Sequence, residues 1–410
     1  MNNYTRRNLK GQTLLRHRNV SVVIEKINVD GPITKREIVN KTGISFAKVN
    51  TITSSLSKLG ITVEIGKEES NGGRPSSLFN LNPNYRYTIG CQLSHTRIHT
   101  IVGNLKGEIL FEEMKHYDKS IGKEAVIALL LNSIETLINN SGIPKEKFLG
   151  VGVAIAGLFN PNNEMTFPFP HLVNWGHVSF KEIIAEKFDL PCYVSNVANA
   201  GALAELNYGE GKGKNSILYL NVGSGLGLGI IFDGKLYQGV SGTAGEFGHI
   251  SIDEHGPLCE CGNYGCLEAL ASTRAVVKQA KTQVKQGVST ALLTMANEDI
   301  EKINFNMICE AASNSDKLAY NLIDMMGQNI GEGIVTLVNL LNPERVILGG
   351  TIMCASDLLI NQITNIVQKR ALEIPRRNMD IVFSKMGNYA GTIGATIPII
   401  ERFFQYQVNE

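Results

Sequence analysis

Apolar positions Val20, Val23, Ile24 and Ile27 recur at helical spacing, and Asp30-Gly31 ends the run. Pro32-Ile33-Thr34 restarts the chain, with Thr34 placed to cap a helix over Lys35–Lys41. A short turn containing Gly43 leads into a further helix running to Gly60, whose buried stripe is predicted to be Val49, Ile52, Leu56 and Leu59. Ser45, Lys48, Asn50, Thr51 and Ser54 are left facing out. Two helices joined this way, the second offering small and amide side chains near its start, suit a helix-turn-helix that enters the major groove of DNA. Ile61 to Leu81 alternates well enough for two strands with a tip at Glu68–Pro75, which makes residues 1–82 a winged helix. Arg74, within Asn71-Gly72-Gly73-Arg74-Pro75, suits a narrow minor groove.

Asn82-Pro83-Asn84 marks a boundary. Beyond it the pattern predicts strands Tyr87–Leu93, Ile98–Leu105 and Glu108–Glu112, a helix Lys123–Asn140 and a strand Leu149–Ala156. Then come strand Cys192–Asn196, helix Asn199–Tyr208, strands Ile217–Val222 and Leu228–Phe232, and long helices over 264–341. Strand Arg345–Leu348 runs into Gly349-Gly350, and a helix Ala390–Phe404 closes the chain. No low-complexity stretch or short-period repeat is visible. This is an α/β protein with a helical N-terminal module.

Composition sharpens that division. Residues 1–86 carry 14 Lys/Arg against 6 Asp/Glu, whereas the whole chain nets only +1. A basic module on an acidic body reads as a nucleic-acid binder joined to something else. No apolar run approaches a membrane span of about 18 residues. Met1–Arg18 is polar and basic, so it is not a secretory signal, and a cytoplasmic protein is expected. The seven cysteines, three of them clustered, argue against a disulfide framework.

That cluster is the centre of the chemistry. Gly245-Glu246-Phe247-Gly248-His249 is followed by Cys259-Glu260-Cys261, Cys266 and Glu268. His with three Cys is a usual closed zinc set, though the spacing also allows ordinary buried thiols and leaves His255 as a competing ligand. The stretch resembles the signature of the ROK family (repressors, uncharacterised reading frames and sugar kinases), in which GExGH leads into C-x-C-G-x-x-G-C-x-E. The resemblance implies one structural zinc per chain on His249, Cys259, Cys261 and Cys266. It also implies sugar hydroxyls held by Glu246, His249 and Glu268, with Asn196 and Asn174 approaching them. For Trp175, beside Asn174, a place in the core is the alternative. The implied fold is the two-lobed actin-like (ribonuclease-H-like) ATPase fold, with a smaller lobe of 83–196 plus 385–410 and a larger lobe of 197–384 that carries the metal and the dimer interface.

A sugar kinase on this fold needs a metal-binding acid, glycine loops for phosphate and a base. Where the family's kinases carry Asp-x-Gly-Gly-Thr, this chain has Gln92-Leu93-Ser94-His95-Thr96. Where they carry Asn-Asp-Ala-Asn, it has Asn196-Val197-Ala198-Asn199, and valine accepts no proton. Gly223–Gly227 and Gly349-Gly350 persist, as turn glycines or as remnants of a phosphate site. The expectation is therefore a non-enzyme: a regulator resembling the xylose-repressor and N-acetylglucosamine-repressor branches. It would bind double-stranded operator DNA as a homodimer or dimer of dimers and release it on binding a free monosaccharide. The alternatives are a bifunctional sugar kinase with a DNA-binding arm, or a regulator controlled by a phosphotransferase protein.

Overall fold

The computed structural model describes residues 11–68, 75–118, 120–157, 159–160, 165–166, 175 and 178–406. Helix α1 (Gly11–Asp30) starts earlier than its apolar stripe suggests and buries Val23, Ile24 and Ile27. A two-residue strand β1 (Ile33–Thr34) leads into α2 (Lys35–Thr42). Thr34 caps α2 as expected, and the cap is reciprocal. Its hydroxyl accepts from the Glu37 amide at 3.2 Å while the Glu37 carboxylate accepts from the Thr34 amide at 2.8 Å. Helix α3 (Phe46–Lys58) buries Val49, Thr53 and Leu56. Leu59, expected in that stripe, is 59% exposed, because it follows the last helical turn as the C-cap. Strands β2 (Thr62–Lys67) and β3 (Ser77–Leu81) form an antiparallel hairpin, to which β1 adds on the β3 side. Arg74 and the hairpin tip lie outside the described residues.

The first lobe runs β4 (Tyr87–Leu93), β5 (Arg97–Asn104), β6 (Ile109–His116), α4 (Lys123–Ser141) and β7 (Phe148–Ile155). A small pair, β8 (Phe159–Asn160) and β9 (Met165–Thr166), precedes α5 (Phe180–Phe188) and β10 (Cys192–Asn196). The sheet order is β10-β7-β4-β5-β6. Its central strands are buried along almost their whole length, as both faces are covered by helices. Trp175, 2% exposed and with its ring 6.3 Å from Phe180, belongs to this core.

Helix α6 (Val197–Tyr208) begins two residues before the expected Asn199. The reason is a cap: Asn196 Oδ1 accepts from the Ala198 amide at 2.7 Å. The second lobe continues with β11 (Ile217–Val222), β12 (Leu226–Phe232) and β13 (Lys235–Leu236). A helical layer follows: α7 (Leu267–Ala271), α8 (Thr273–Lys285), α9 (Ala291–Met295), α10 (Phe305–Ser313) and α11 (Lys317–Leu341). Strand β14 (Arg345–Gly349), helices α12 (Ser356–Arg370) and α13 (Glu373–Arg377), and strand β15 (Asp380–Phe383) complete the sheet β13-β12-β11-β14-β15. Numbered within each lobe, both sheets run 3-2-1-4-5. The lobes are thus two copies of one topology, with no local sequence repeat to announce it.

The closing helix is broken, contrary to expectation, into α14 (Ala390–Gly394) and α15 (Ile397–Tyr406). Pro398 supplies no amide hydrogen, and its ring crowds the carbonyl of Gly394 four residues back. The break lets each half do a separate job. Helix α14 crosses α6 between the lobes so closely that a Cβ on Gly394 would overlap the Ala200 carbonyl oxygen. Helix α15 packs Ile400, Phe403 and Phe404 into one cluster with Val23, Ile24 and Ile27 of α1. The N-terminal module and the first lobe therefore share a core rather than a linker. Among the described residues, no helix is long and apolar enough to cross a membrane.

Candidate metal and sugar site

The metal stretch folds as two tight reversals. Isolated bridges pair Ser251 with Cys266 and Leu258 with Tyr264, and the Cys259 amide donates to the Asn263 carbonyl at 2.7 Å. Gly265 sits at φ 63°, where a Cβ would overlap the Asp253 carbonyl oxygen, so the reversal before Cys266 needs glycine. The outcome is that one ligand atom each from His249, Cys259, Cys261 and Cys266 lies within 4.8 Å of the others. Cys259 Sγ is 3.6 Å from His249 Nδ1, and Cys261 Sγ is 3.6 Å from Cys266 Sγ. His255, the competing ligand, is exposed and outside this group. Burial pushes the Cys266 thiol up to about 12, while the Asn263 backbone holds the Cys261 thiol below its ordinary value. A dication among these sulfurs would favour the thiolates.

The same histidine also reaches Glu246. Its Nε2 lies 4.0 Å from Glu246 Oε2, so the ring spans the metal group and an exposed carboxylate. Although its side chain is partly open to water, desolvation by its surroundings pushes the Glu246 carboxyl above the usual range; His249 opposes the rise and Glu268 adds to it. Glu268 is more committed than the sequence suggests. Its Oε2 accepts from the Leu226 amide at 2.8 Å, and Arg274 lies 3.5 Å from Oε1 and also bonds Glu260. Sequence reasoning misses Arg274, because nothing in local spacing ties it to either acid. Asn196 is similarly engaged, capping α6 and donating to the Gly157 carbonyl at 3.0 Å. The start of β12 lies between these groups. A Cβ on Gly227 would stand 3.1 Å from Ala198, and one on Gly225 would stand 2.8 Å from Glu268 Oε2. Asn174 lies outside the described residues.

The side chains of Gln92 and Val197 also converge. A Cβ on Gly391 would overlap Gln92 Oε1 and stand 2.7 Å from Val197 Cγ2, so both side chains face one point on α14. The neighbouring Thr392 hydroxyl lies 3.4 Å from Gln92 Oε1 and 2.9 Å from His99 Nδ1, and His99 Nε2 is 3.2 Å from Glu112. These contacts tie the first hairpin to α14. The retained glycines have packing reasons of their own: Gly225 stands against Glu268, and Gly350 adopts φ 88° beside the Val222 carbonyl.

On α3, Lys48, Asn50 and Thr51 are exposed, as is Ser45 just before it. Asn50 Oδ1 accepts from Lys35 at 2.8 Å, and the Thr51 hydroxyl donates to the Ala47 carbonyl at 3.0 Å.

Known proteins match this chain along most of its length. A xylose repressor of Caldicellulosiruptor bescii is 33% identical over 394 residues, which cover 96% of this chain and 98% of that protein. The crystal structure of a ROK family transcriptional regulator, a homologue of the E. coli Mlc protein, superposes with a TM-score of 0.79 and 28% identity, covering 95% of this chain and 97% of its own. A ROK family glucokinase from Streptomyces griseus, solved with glucose and AMPPNP, gives a TM-score of 0.69 at 28% identity. That match covers 98% of the glucokinase but only 76% of this chain. The ROK family model itself matches residues 88–401. With nearly all of both lobes inside that match and the His-Cys stretch at its centre, this chain belongs to the ROK family.

Proposed function

We propose that this chain is a sugar-responsive transcriptional repressor. The observation that carries the reading is the shared core of α1 and α15, which couples the N-terminal module to a lobe of a sugar-binding fold. Residues 1–82 act as a winged helix-turn-helix, 83–196 with 385–410 as the smaller lobe, and 197–384 as the larger. A homodimer reads a two-fold operator through Ser45, Lys48, Asn50 and Thr51, with Arg74 at the minor groove.

Zinc is the ion we assign to His249, Cys259, Cys261 and Cys266. A tetrahedron with Zn–S of about 2.3 Å places its sulfurs about 3.8 Å apart. The thiol pair Cys261–Cys266 already stands close to that spacing. The ion's role is to order the loop that presents Glu246 and His249, and His249 Nε2 remains available to Glu246 or a ligand. A free monosaccharide sits between Asn196 and the Glu246–His249–Glu268 group, with Asn174 as the further sugar-binding residue that the sequence suggests. Arg274 neutralises part of the charge at Glu268, so Glu246 is the freer acceptor for a sugar hydroxyl. Closure around the ligand moves the lobe that carries the reading helices. The sugar shifts operator affinity only through its preference for the closed form, and a coupling of about 1–3 kcal/mol corresponds to roughly 5- to 150-fold.

Two measurements test this. Calorimetry with free and phosphorylated sugars is expected to show binding of a free sugar that Glu246→Gln weakens, and the same sugar should release operator duplex. Sugar binding confined to phosphorylated forms, or release unaffected by sugar, would contradict the reading. Kinase activity is expected to be absent, because loss of a general base alone costs about 10²- to 10⁴-fold. Sugar-dependent ADP release above a denatured control would restore the kinase alternative.

A further inference from the structure

The first residue of α3 is Phe46, and it is 54% exposed. Helical periodicity with Val49, Thr53 and Leu56 would place it on the buried face. Instead, more than half of the residue is left open to water. The part of the phenylalanine left in water gains nothing for the isolated module.

Its neighbours make that position informative. Ser45 caps α3 without a side-chain hydrogen bond, so its hydroxyl is uncommitted by the cap. Two polar side chains further along are already engaged, Asn50 by Lys35 and Thr51 by the Ala47 carbonyl. The exposed N-terminal run is therefore Ser45-Phe46-Ala47-Lys48, apolar at its centre with one cation beside it. Second helices of this motif point that end at base edges. In the major groove, the thymine C5-methyl is the apolar group a phenylalanine can meet.

We infer that Phe46 is a specificity-determining residue that reads a thymine methyl in each operator half-site. This rests on the DNA-binding reading above and adds a chemical rule to it. Lys48 holds the phosphate backbone or a purine edge, and Phe46 distinguishes thymine from bases without the methyl. Burying one methyl is worth about 0.8 kcal/mol, or about fourfold in affinity, and roughly fifteenfold when both half-sites contribute.

The test uses the sugar-free full-length chain and a duplex that it selects from a randomised pool. Each thymine is replaced in turn, symmetrically, by deoxyuridine, which removes only the methyl. One symmetric pair is expected to weaken binding by about fifteenfold, and Phe46→Ala should bind the thymine and deoxyuridine duplexes equally. Phe46→Leu should retain part of the difference, and Lys48→Ala should weaken both duplexes alike while keeping their ratio. Because Phe46 is exposed, Phe46→Ala should melt as the parent does. A parent indifferent to every deoxyuridine substitution, or a Phe46→Ala protein as sensitive as the parent, overturns the inference. Failure of the parent to select any duplex would instead overturn the DNA-binding reading, and the inference with it.

Discussion

Replacing Cys261 by Ser is expected to remove the metal and abolish sugar binding in one step. Cys261 is the exposed member of the ligand group, so its loss leaves the buried packing around Cys259 and Cys266 in place. What it removes is the fourth corner of the tetrahedron. The reversals from Ser251 to Cys266 are held by isolated bridges and turn hydrogen bonds, so an ion on the proposed ligands would supply much of the loop's order. His249 would lose the bond fixing its ring, and Glu246 its oriented neighbour. Changes one shell out from a metal typically cost about 10- to 100-fold, so losing a ligand should cost at least about 100-fold in sugar affinity. Elemental analysis and calorimetry of Cys261→Ser check both halves. His255→Ala is the control and should keep metal and sugar, since His255 is exposed and outside the group. Full metal retention in Cys261→Ser would refute the ligand set.

The second large effect is expected at the joint between α15 and α1. Phe403 is 9% exposed, its ring lies 6.1 Å from Tyr85, and its cluster includes residues of both α1 and α15. Phe→Ala in a core costs about 3–5 kcal/mol, and the lower end applies to a site at the edge of a module. That cost equals or exceeds the roughly 1–3 kcal/mol of coupling a ligand can transmit. Phe403→Ala should therefore bind sugar with parental affinity, since none of the residues proposed to hold the sugar belongs to its cluster, while sugar no longer changes operator affinity. Titrating operator with and without sugar decides the matter. A parental sugar response in Phe403→Ala would mean the signal travels another way.

Much of the candidate site is legible in the sequence because its residues are close in the chain. His249, Cys259, Cys261, Cys266 and Glu268 fall within one stretch, where glycine turns and ligand chemistry can be read directly. The engagement of Glu268 with Arg274 and Leu226 is not legible, because tertiary folding brings Leu226 to it from 42 residues away. The contact of Val197 with Gly391 has the same character across a still longer gap.

What the sequence determined by itself was local. Periodicity placed most strands and helices, Thr34 announced its cap, and the His-Cys cluster announced a set of side chains that could hold a metal. Periodicity says which face of an element is buried but not what covers it, since the partner comes from elsewhere in the chain. Tertiary structure alone therefore decided that both sheets share one strand order, that Gly394 lets α14 cross α6, and that α15 joins α1 in a common core. It also decided that Phe46, on the apolar face of its helix by spacing, is left more than half exposed.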